Sequence, residues 1–376
     1  MKNMLRVLQV AFTYTGTVVG AGFATGQEIL QFFTAYGWWA PLTIGLATML
    51  FVWLGTKLMV LSHHIQAKSY EDVNKVLFGE RVGASISLFT MVVIICVNSV
   101  MLAGAGSVFV EHLNMNYQTG LLLTLSASFL IISRGMNAII KLNSLVVPTM
   151  LVFTTLIMIH TLQMPNVGQL LTISTDKPFY AAWTAPFLYG AFNLAMAQAV
   201  LVPLGATMPS KNVIRMGGII GGIFIGLMLL TGHFALSAQM PGITQFDIPM
   251  GQIASGLGIT AQLIYVLLIF SEIFTTLVSD VYGVTLQLHQ RTGTNKNVII
   301  FCIMLFCYIV SQFGFRSLMS FLYPLFGMFS LVWLYLLMRT ANPPRPHANN
   351  KPDSIGTSIA ITPLQPKPSQ MGRKKA

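Results

Sequence analysis

Charge is what this chain lacks. Only 8% of its 376 residues are Asp, Glu, Lys or Arg, and ten of them are acidic, where a soluble domain carries roughly 25% charged residues. A water-soluble globule is excluded, and the chain reads as an integral membrane protein. Cysteine is scarce as well. Cys96, Cys302 and Cys307 all fall in apolar segments without metal-ligand spacing, so they read as reduced core residues. The strand-period alternation of an outer-membrane barrel is missing. No Ser/His/Asp arrangement, P-loop or cofactor fingerprint is present. His63, His64, His112, His160, His233 and His289 have no metal spacing and fall near predicted interfaces. The chain is therefore not read as an enzyme, and no cofactor is expected beyond a candidate Na⁺ ion.

What the chain has is apolar length. Hydrophobic residues make up 54% of it, and windows of about 20 residues, enough to span hydrocarbon, recur from end to end. The pattern predicts an all-α bundle of ten spans, at 8–35, 39–62, 84–111, 119–133, 139–162, 181–206, 213–237, 259–287, 298–313 and 317–338. The net charge of +11 is sorted by side. With the N-terminus inside, 19 of the 21 Lys and Arg residues fall in cytoplasmic segments, leaving Lys177 and Arg316 outside. This positive-inside bias puts both termini in the cytoplasm and removes the need for a nucleic-acid partner. Lys2 and Arg6 before an apolar run imitate a signal peptide. Cleavage is not expected, because the run is rich in Thr and Gly and its loss would disturb the charge count.

The spans fall into halves, about 8–162 and 181–338, each with five spans. An odd number makes the second half enter the membrane in the opposite sense, the arithmetic of an inverted repeat. Both halves open on an irregular helix. Span one contains Gly16-Thr17-Val18-Val19-Gly20-Ala21-Gly22-Phe23-Ala24-Thr25-Gly26-Gln27-Glu28, with four glycines and a carboxylate at bilayer depth. Span six contains Pro186-Phe187-Leu188-Tyr189-Gly190-Ala191-Phe192-Asn193, then Pro203-Leu204-Gly205. Glycine costs helix stability, and freed backbone is tolerated in a membrane only within protein or beside a water-filled cavity. Breaks in both spans are expected, with amide-rich half-helix ends suited to a carboxylate and freed carbonyls suited to a cation.

Few charged side chains lie at depth: Glu28 in span one, Glu272 and Asp280 in span eight. Such residues are candidate proton carriers, cation ligands or substrate counter-charges. Glu272, Thr275, Thr276 and Ser279 follow three- and four-residue steps and share a face, with Asp280 adjoining it. Their hydroxyls and carboxylates are hard ligands of the kind Na⁺ takes, although threonines in a span also bond their own helix. Lys141 reads as a snorkelling anchor, and Asn98, Ser99, Gly104 and Gly106 as close-packing residues. Phe187, Tyr189 and Phe192 are candidate gate aromatics. Outside the spans, Ser69 and Asp72 predict a capping box for a short cytoplasmic helix. The outer loop 239–258 reads as a lid. The tail 341–376, beyond a transporter domain at 1–340, is Pro-, Ser- and Lys-rich and expected to be disordered.

The run Thr15-Gly16-Thr17-Val18-Val19-Gly20-Ala21-Gly22-Phe23-Ala24-Thr25-Gly26-Gln27-Glu28-Ile29 closely resembles the opening of the YkvI-type bacterial membrane proteins. Leu201-Val202-Pro203-Leu204-Gly205 and the course of the ten-span body fit too. That family is similar, at a distance, to the amino acid–polyamine–organocation superfamily with the leucine-transporter (LeuT) fold. The resemblance implies that Gly20-Ala21-Gly22 hold a substrate carboxylate by their amides, beside Phe23. It implies a span-six break near Tyr189, Gly190, Phe192 and Asn193, and a Na⁺ site between Val19 or Gly20 and span eight. There Thr275/Thr276 and Ser279/Asp280, one turn apart, remain equivalent choices. Proton-coupled relatives place a lysine from span five at that site; Lys141 lies too close to the cytoplasm to be matched to it. The outer-lid helix of the superfamily matches 246–257. Glu28 departs from the superfamily motif and marks a distinct substrate or coupling mechanism.

The expected function is secondary active transport of a small amino acid or related amine, coupled to Na⁺ or H⁺ in the bacterial cytoplasmic (inner) membrane. Its partners are a small-molecule substrate and membrane lipids, with oligomeric state left open. The alternative is a non-transporting sensor or assembly protein that keeps the fold and docks through its basic tail, which suits anionic lipid.

Overall fold

The computed structural model describes residues 2–67, 69–134, 137–163 and 177–340. The tail 341–376 and the side chain of Lys141 lie outside the described residues. All regular structure among the described residues is helical, as expected where no water is present to satisfy an open backbone.

Span one is divided among α1 (Lys2–Val18), α2 (Ala21–Thr25) and α3 (Gln27–Phe32). A 3₁₀ stretch, α4 (Ala40–Leu50), a π turn and α5 (Thr56–Ile65) then run on from Thr34 to Ile65. The short α6 (Tyr70–Phe78) precedes α7 (Glu80–Leu113), α8 (Tyr117–Arg134) and α9 (Asn137–Leu162). The second half holds α10 (Phe179–Thr207), α11 (Lys211–Ser237), the short α12 (Pro249–Ser255), α13 (Ile259–Thr292), α14 (Lys296–Ser311) and α15 (Phe315–Arg339). Among the described residues, six stretches are long and apolar enough to cross a membrane: Thr34–Ile65, α7, α10, α11, Ile259–His289 of α13, and α15. Tyr117–Ile132, Val147–Leu162 and α14 are shorter apolar helices.

The expected break in span six is not there. α10 runs unbroken through 189–193 with Pro186 and Pro203 inside it, and the Asn193 side chain donates to Tyr189 O at 3.0 Å. One glycine in this stretch costs only about 1 kcal/mol. An isolated proline bends rather than ends a membrane helix when neighbours re-satisfy the freed groups.

Glycines set the closest helix approach. α11 packs on α1 and on the second span, and its glycines divide between those two faces. A Cβ on Gly217 or Gly221 would press into Val10, Ala11 and Tyr14 of α1. One on Gly218, Gly222 or Gly226 would press into Thr56, Val52 or Thr48. Small residues of this kind let backbones approach where no hydrophobic effect drives helices together. In α7, Gly104 and Gly106 similarly face Phe315 and Tyr117, and Asn98 and Ser99 bond their own helix at Ile94 O and Ile95 O.

Two placements differ from expectation. Cys302 is exposed rather than in the core, on an outer face of α14 shared with Phe301, Leu305 and Ile309, as a lipid-facing residue would be. His233 lies deep rather than at an interface. It is fully buried in α11, with Nδ1 at 3.2 Å from Thr34 Oγ1 and 3.3 Å from Ser237 Oγ. Those two hydroxyls offset part of the cost of burying an imidazole.

The predicted capping box is present: Asp72 Oδ2 accepts from the Ser69 amide at 3.1 Å. α6 ties three helices together. Tyr70 donates to Gln287 of α13 at 2.8 Å, and Glu71 pairs with Arg291 of α13 at 3.1 Å. Asn74 accepts from Trp333 of α15 at 2.9 Å and donates to Ser87 of α7 at 3.0 Å.

Candidate functional site

The helix interruption in span one is local and sharp. Gly20 takes an extended conformation, and its amide turns to Val18 O at 2.9 Å. A second turn follows at Gly26, whose φ of +87° favours glycine. The side chains of Met250 and Pro249 in α12 also stand where a Cβ of Gly26 would go. The glycine run thus produces two direction changes within seven residues, Gly20 to Gly26.

Glu28 folds back across the second turn. Gly22 leaves room for it: a Cβ at Gly22 would collide with Glu28 Oε1. Glu28 is 3% exposed and lies beside the Tyr189 hydroxyl, yet its Oε2 and that hydroxyl stop short of hydrogen-bonding geometry. Tyr189 is held by the rings of Phe32, Phe33 and Phe51, with centroids at 5.3, 5.1 and 5.9 Å. Its ring is fully buried, so no part of it is exposed to solvent in this structure.

A cavity of about 580 Å³ opens below the interruption. Its wall includes Gly20, Glu28, Phe192, Asn193, Glu272, Thr276, Ser279 and Asp280 among the expected site residues. Val19, Ala21, Gly22, Phe23, Tyr189, Gly190 and Thr275 do not line it. Thr275 is buried and donates to Glu272 O at 3.2 Å, so its hydroxyl is spent on its own helix. A Cβ on Gly190 would meet Leu50 Cδ1 at 3.4 Å, an ordinary packing contact. The wall also takes Gln9, Phe12, Thr13 and Thr17 from α1, Met101 from α7, Val147 and Pro148 from α9, and Tyr323 from α15. Apart from Thr17, which lies in the glycine run, no sequence motif singles these out. Gln9 and Thr13 sit on the Gly16 face of α1 at helical spacing, a signal that was available. Tyr323, whose ring centroid lies 4.4 Å from that of Phe192, looks like any aromatic core residue.

The cavity extends from the interruption toward the start of α1 and the end of α10. On the opposite side the lid is fastened. Glu111 of α7 accepts from the Asp247 and Ile248 amides at 2.6 and 2.9 Å, just before α12. Asp247 accepts from Ser107 at 2.9 Å and pairs with Arg316 at 3.3 Å. Gln27 donates to Phe246 O at 2.6 Å, and Tyr265 to Ala24 O at 3.1 Å. His112 and His160 pack against Gly251 and Gly256 of the lid. The helix expected within 246–257 is present as α12; its contacts with Glu111 are not legible in the sequence, because a carboxylate at a helix end reads as an ordinary interfacial charge.

No family model matches the chain. Among solved structures, MhsT in complex with L-phenylalanine superposes with a TM-score of 0.65 at 13% identity, covering 87% of this chain and 88% of that one. The inward-facing conformation of Mhp1 gives 0.58 at 13% identity, covering 88% and 75%. A manganese transporter of Eremococcus coleocola, in complex with an aromatic bis-isothiourea compound, gives 0.57 at 13% identity, covering 89% and 76%. At these identities the likeness establishes a shared fold, the LeuT fold. Two Bacillus subtilis proteins are similar in sequence. The uncharacterized protein YyaD is 25% identical over 338 residues, covering 90% of this chain and 96% of its own. The uncharacterized membrane protein YkvI is 38% identical over 346 residues, again 90% and 96%. The chain belongs to the YkvI-type family of bacterial membrane proteins.

Proposed function

We propose that this protein is a secondary active transporter of a small amino acid or related amine, working by alternating access and coupled to Na⁺ or H⁺. The observation that carries the reading is the cavity of about 580 Å³ at the interruption of span one, walled by all three carboxylates the spans hold at depth. Carboxylates are costly in hydrocarbon and are kept there for ions, protons or substrates. The fold shared with a manganese transporter and with MhsT, which holds L-phenylalanine, supports the reading.

The proposed architecture is ten spans in two inverted halves of five. The packing supports it, since exchanging the halves carries neighbours onto neighbours. α1 against α11 corresponds to α10 against α4 and α5, α7 against α8 to α13 against α14, and α7 against α15 to α13 against α9. The proposal keeps both termini cytoplasmic in the bacterial inner membrane and a distant place in the amino acid–polyamine–organocation superfamily. In that orientation the cavity faces the cytoplasm and α12 closes the outside. The coupling cation is assigned to Gly20 with Thr276, Ser279 and Asp280, whose oxygens are hard ligands. Val19, one residue outside the wall, would take part through its carbonyl.

Purified protein in proteoliposomes, given an amino acid and amine panel under Na⁺ or pH gradients, should take up at least one compound. Absence of uptake under both gradients would sink the reading. Deleting 341–376 should leave uptake intact, whereas a sensor that docks through its tail would lose its output and keep ligand binding.

A further inference from the structure

A lysine near the end of a span ordinarily snorkels toward water by itself. Lys57 of α5 does something else. Its Nζ donates to Met338 O at 2.7 Å, one of the last carbonyls of α15, which lack partners within their own helix. That bond sets Lys57 beside the turn that carries Arg339. Each cation also lies over a ring of its own span. Lys57 Nζ is 6.0 Å from the centroid of Trp53, and Arg339 Cζ 5.7 Å from that of Tyr335. Arg339 Nη1 donates to the Tyr335 hydroxyl at 2.9 Å. Among the described residues no carboxylate pairs with either cation, whereas Lys75 and Arg291, at the same end of the bundle, share Glu71. An ammonium has three donors and a guanidinium five, so most of the donors of this pair have no described partner.

The surface behind the two cations indicates what fills those donors. Exposed apolar residues lead up to each at helical spacing: Met49 and Trp53 before Lys57, and Met328, Val332 and Tyr335 before Arg339. Apolar stripes left uncovered along spans meet hydrocarbon, and in the proposed orientation the cations that end them mark the cytoplasmic interface. We propose that Lys57 and Arg339 form a binding site for an anionic phospholipid of the cytoplasmic leaflet. Its phosphate sits between the ammonium and the guanidinium, and its acyl chains lie on the two stripes. Guanidinium matches phosphate oxygens in pairs, and lysine adds a point charge. Basic pockets between spans on this side of a membrane hold such headgroups. A zwitterionic lipid fits less well, because its own ammonium would meet two cations and no described carboxylate. The site is independent of what the central cavity carries.

The test titrates the full chain, in a non-ionic detergent, with phosphatidylglycerol, phosphatidylcholine or glycerol 3-phosphate. Native mass spectrometry reads the affinity of the first molecule retained. Phosphatidylglycerol should be retained at concentrations where the other two are not. Lys57→Gln and Arg339→Gln should each weaken it about fivefold, the contribution of one basic residue at an anionic membrane surface, and the double variant should weaken it further. Lys211→Gln, at the start of α11, should leave retention unchanged. Melting temperatures without lipid report folding, and Arg339→Gln keeps the test valid if loss of the bond to Met338 O unsettles α15. Equal retention of the two lipids overturns the proposal. So does phosphatidylglycerol binding that survives the double variant or falls as far with Lys211→Gln. Glycerol 3-phosphate retained as tightly as the lipid would overturn it too, in favour of a free-phosphate site.

Discussion

The carboxylate of Glu28 rests on Gly22, in the space a side chain at that position would need. The glycine run and the buried charge that follows it are therefore one device. The run turns the backbone twice, and the second turn brings the charge back to the first.

Gly22→Ala tests that device. The added Cβ must displace Glu28, and overpacking of this kind costs about 1–3 kcal/mol. Thermal unfolding should fall accordingly, and ligand binding should weaken as strongly as in Glu28→Gln. Gly45→Ala is the control. No atom lies within 4 Å of a Cβ there, and replacing a helical glycine in α4 should be neutral or stabilise by up to about 1 kcal/mol.

The α13 wall gives a prediction with a direction at each position. Ser279→Ala and Asp280→Asn should each lower the apparent affinity for the coupling cation, read as a shift in the Na⁺ or pH dependence of uptake. Thr275→Ala should leave that dependence unchanged, because its hydroxyl already serves Glu272 O. A Thr275→Ala effect as large as that of Ser279→Ala would move the cation site up one turn.

The lid depends more on Glu111 than on its visible ion pair. Glu111 accepts two backbone amides, and charged-group hydrogen bonds contribute about 1.5–3 kcal/mol each. Asp247 and Arg316 are 30% and 42% exposed, so their pair contributes only about 0–1 kcal/mol. Glu111→Gln should markedly increase labelling of a cysteine placed at Met250 in a cysteine-free background, while Arg316→Ala should change it little. The reverse order would place the fastening in the ion pair.

On the other face, Asn74→Ala strands the Trp333 indole N–H in a buried site. A loss of about 1–3 kcal/mol is expected, measured by thermal unfolding. Ser87→Ala should cost less, because Ser87 already donates to its own helix at Gly83 O.

Much of this was legible in the sequence, for physical reasons. The span-one interruption followed from glycines clustered where a membrane helix can least bear them. The α6 cap followed from Ser69 and Asp72 at capping-box spacing, and the helix within 246–257 from the resemblance to the superfamily. Span six misled because proline was counted as a break, whereas Pro186 and Pro203 are absorbed within α10. The choice along span eight could not be made from spacing, since the pairs Thr275/Thr276 and Ser279/Asp280 lie one helical turn apart and present similar oxygens on the same side of the helix. Partners distant in sequence, such as Glu111 with the Asp247 amide or Tyr323 with Phe192, leave no periodic trace and needed the fold to bring them together.

The central claim is that the cavity beneath Gly20 moves its ligand across a membrane at the expense of an ion gradient. Its most direct test is accumulation of a bound amine or amino acid in proteoliposomes, comparing wild type with Glu28→Gln. The account predicts accumulation above the external concentration only when a Na⁺ or proton gradient is imposed, and its loss in the variant. Ligand that binds to wild type but never exceeds equilibrium under either gradient, or undiminished accumulation by Glu28→Gln, would contradict it.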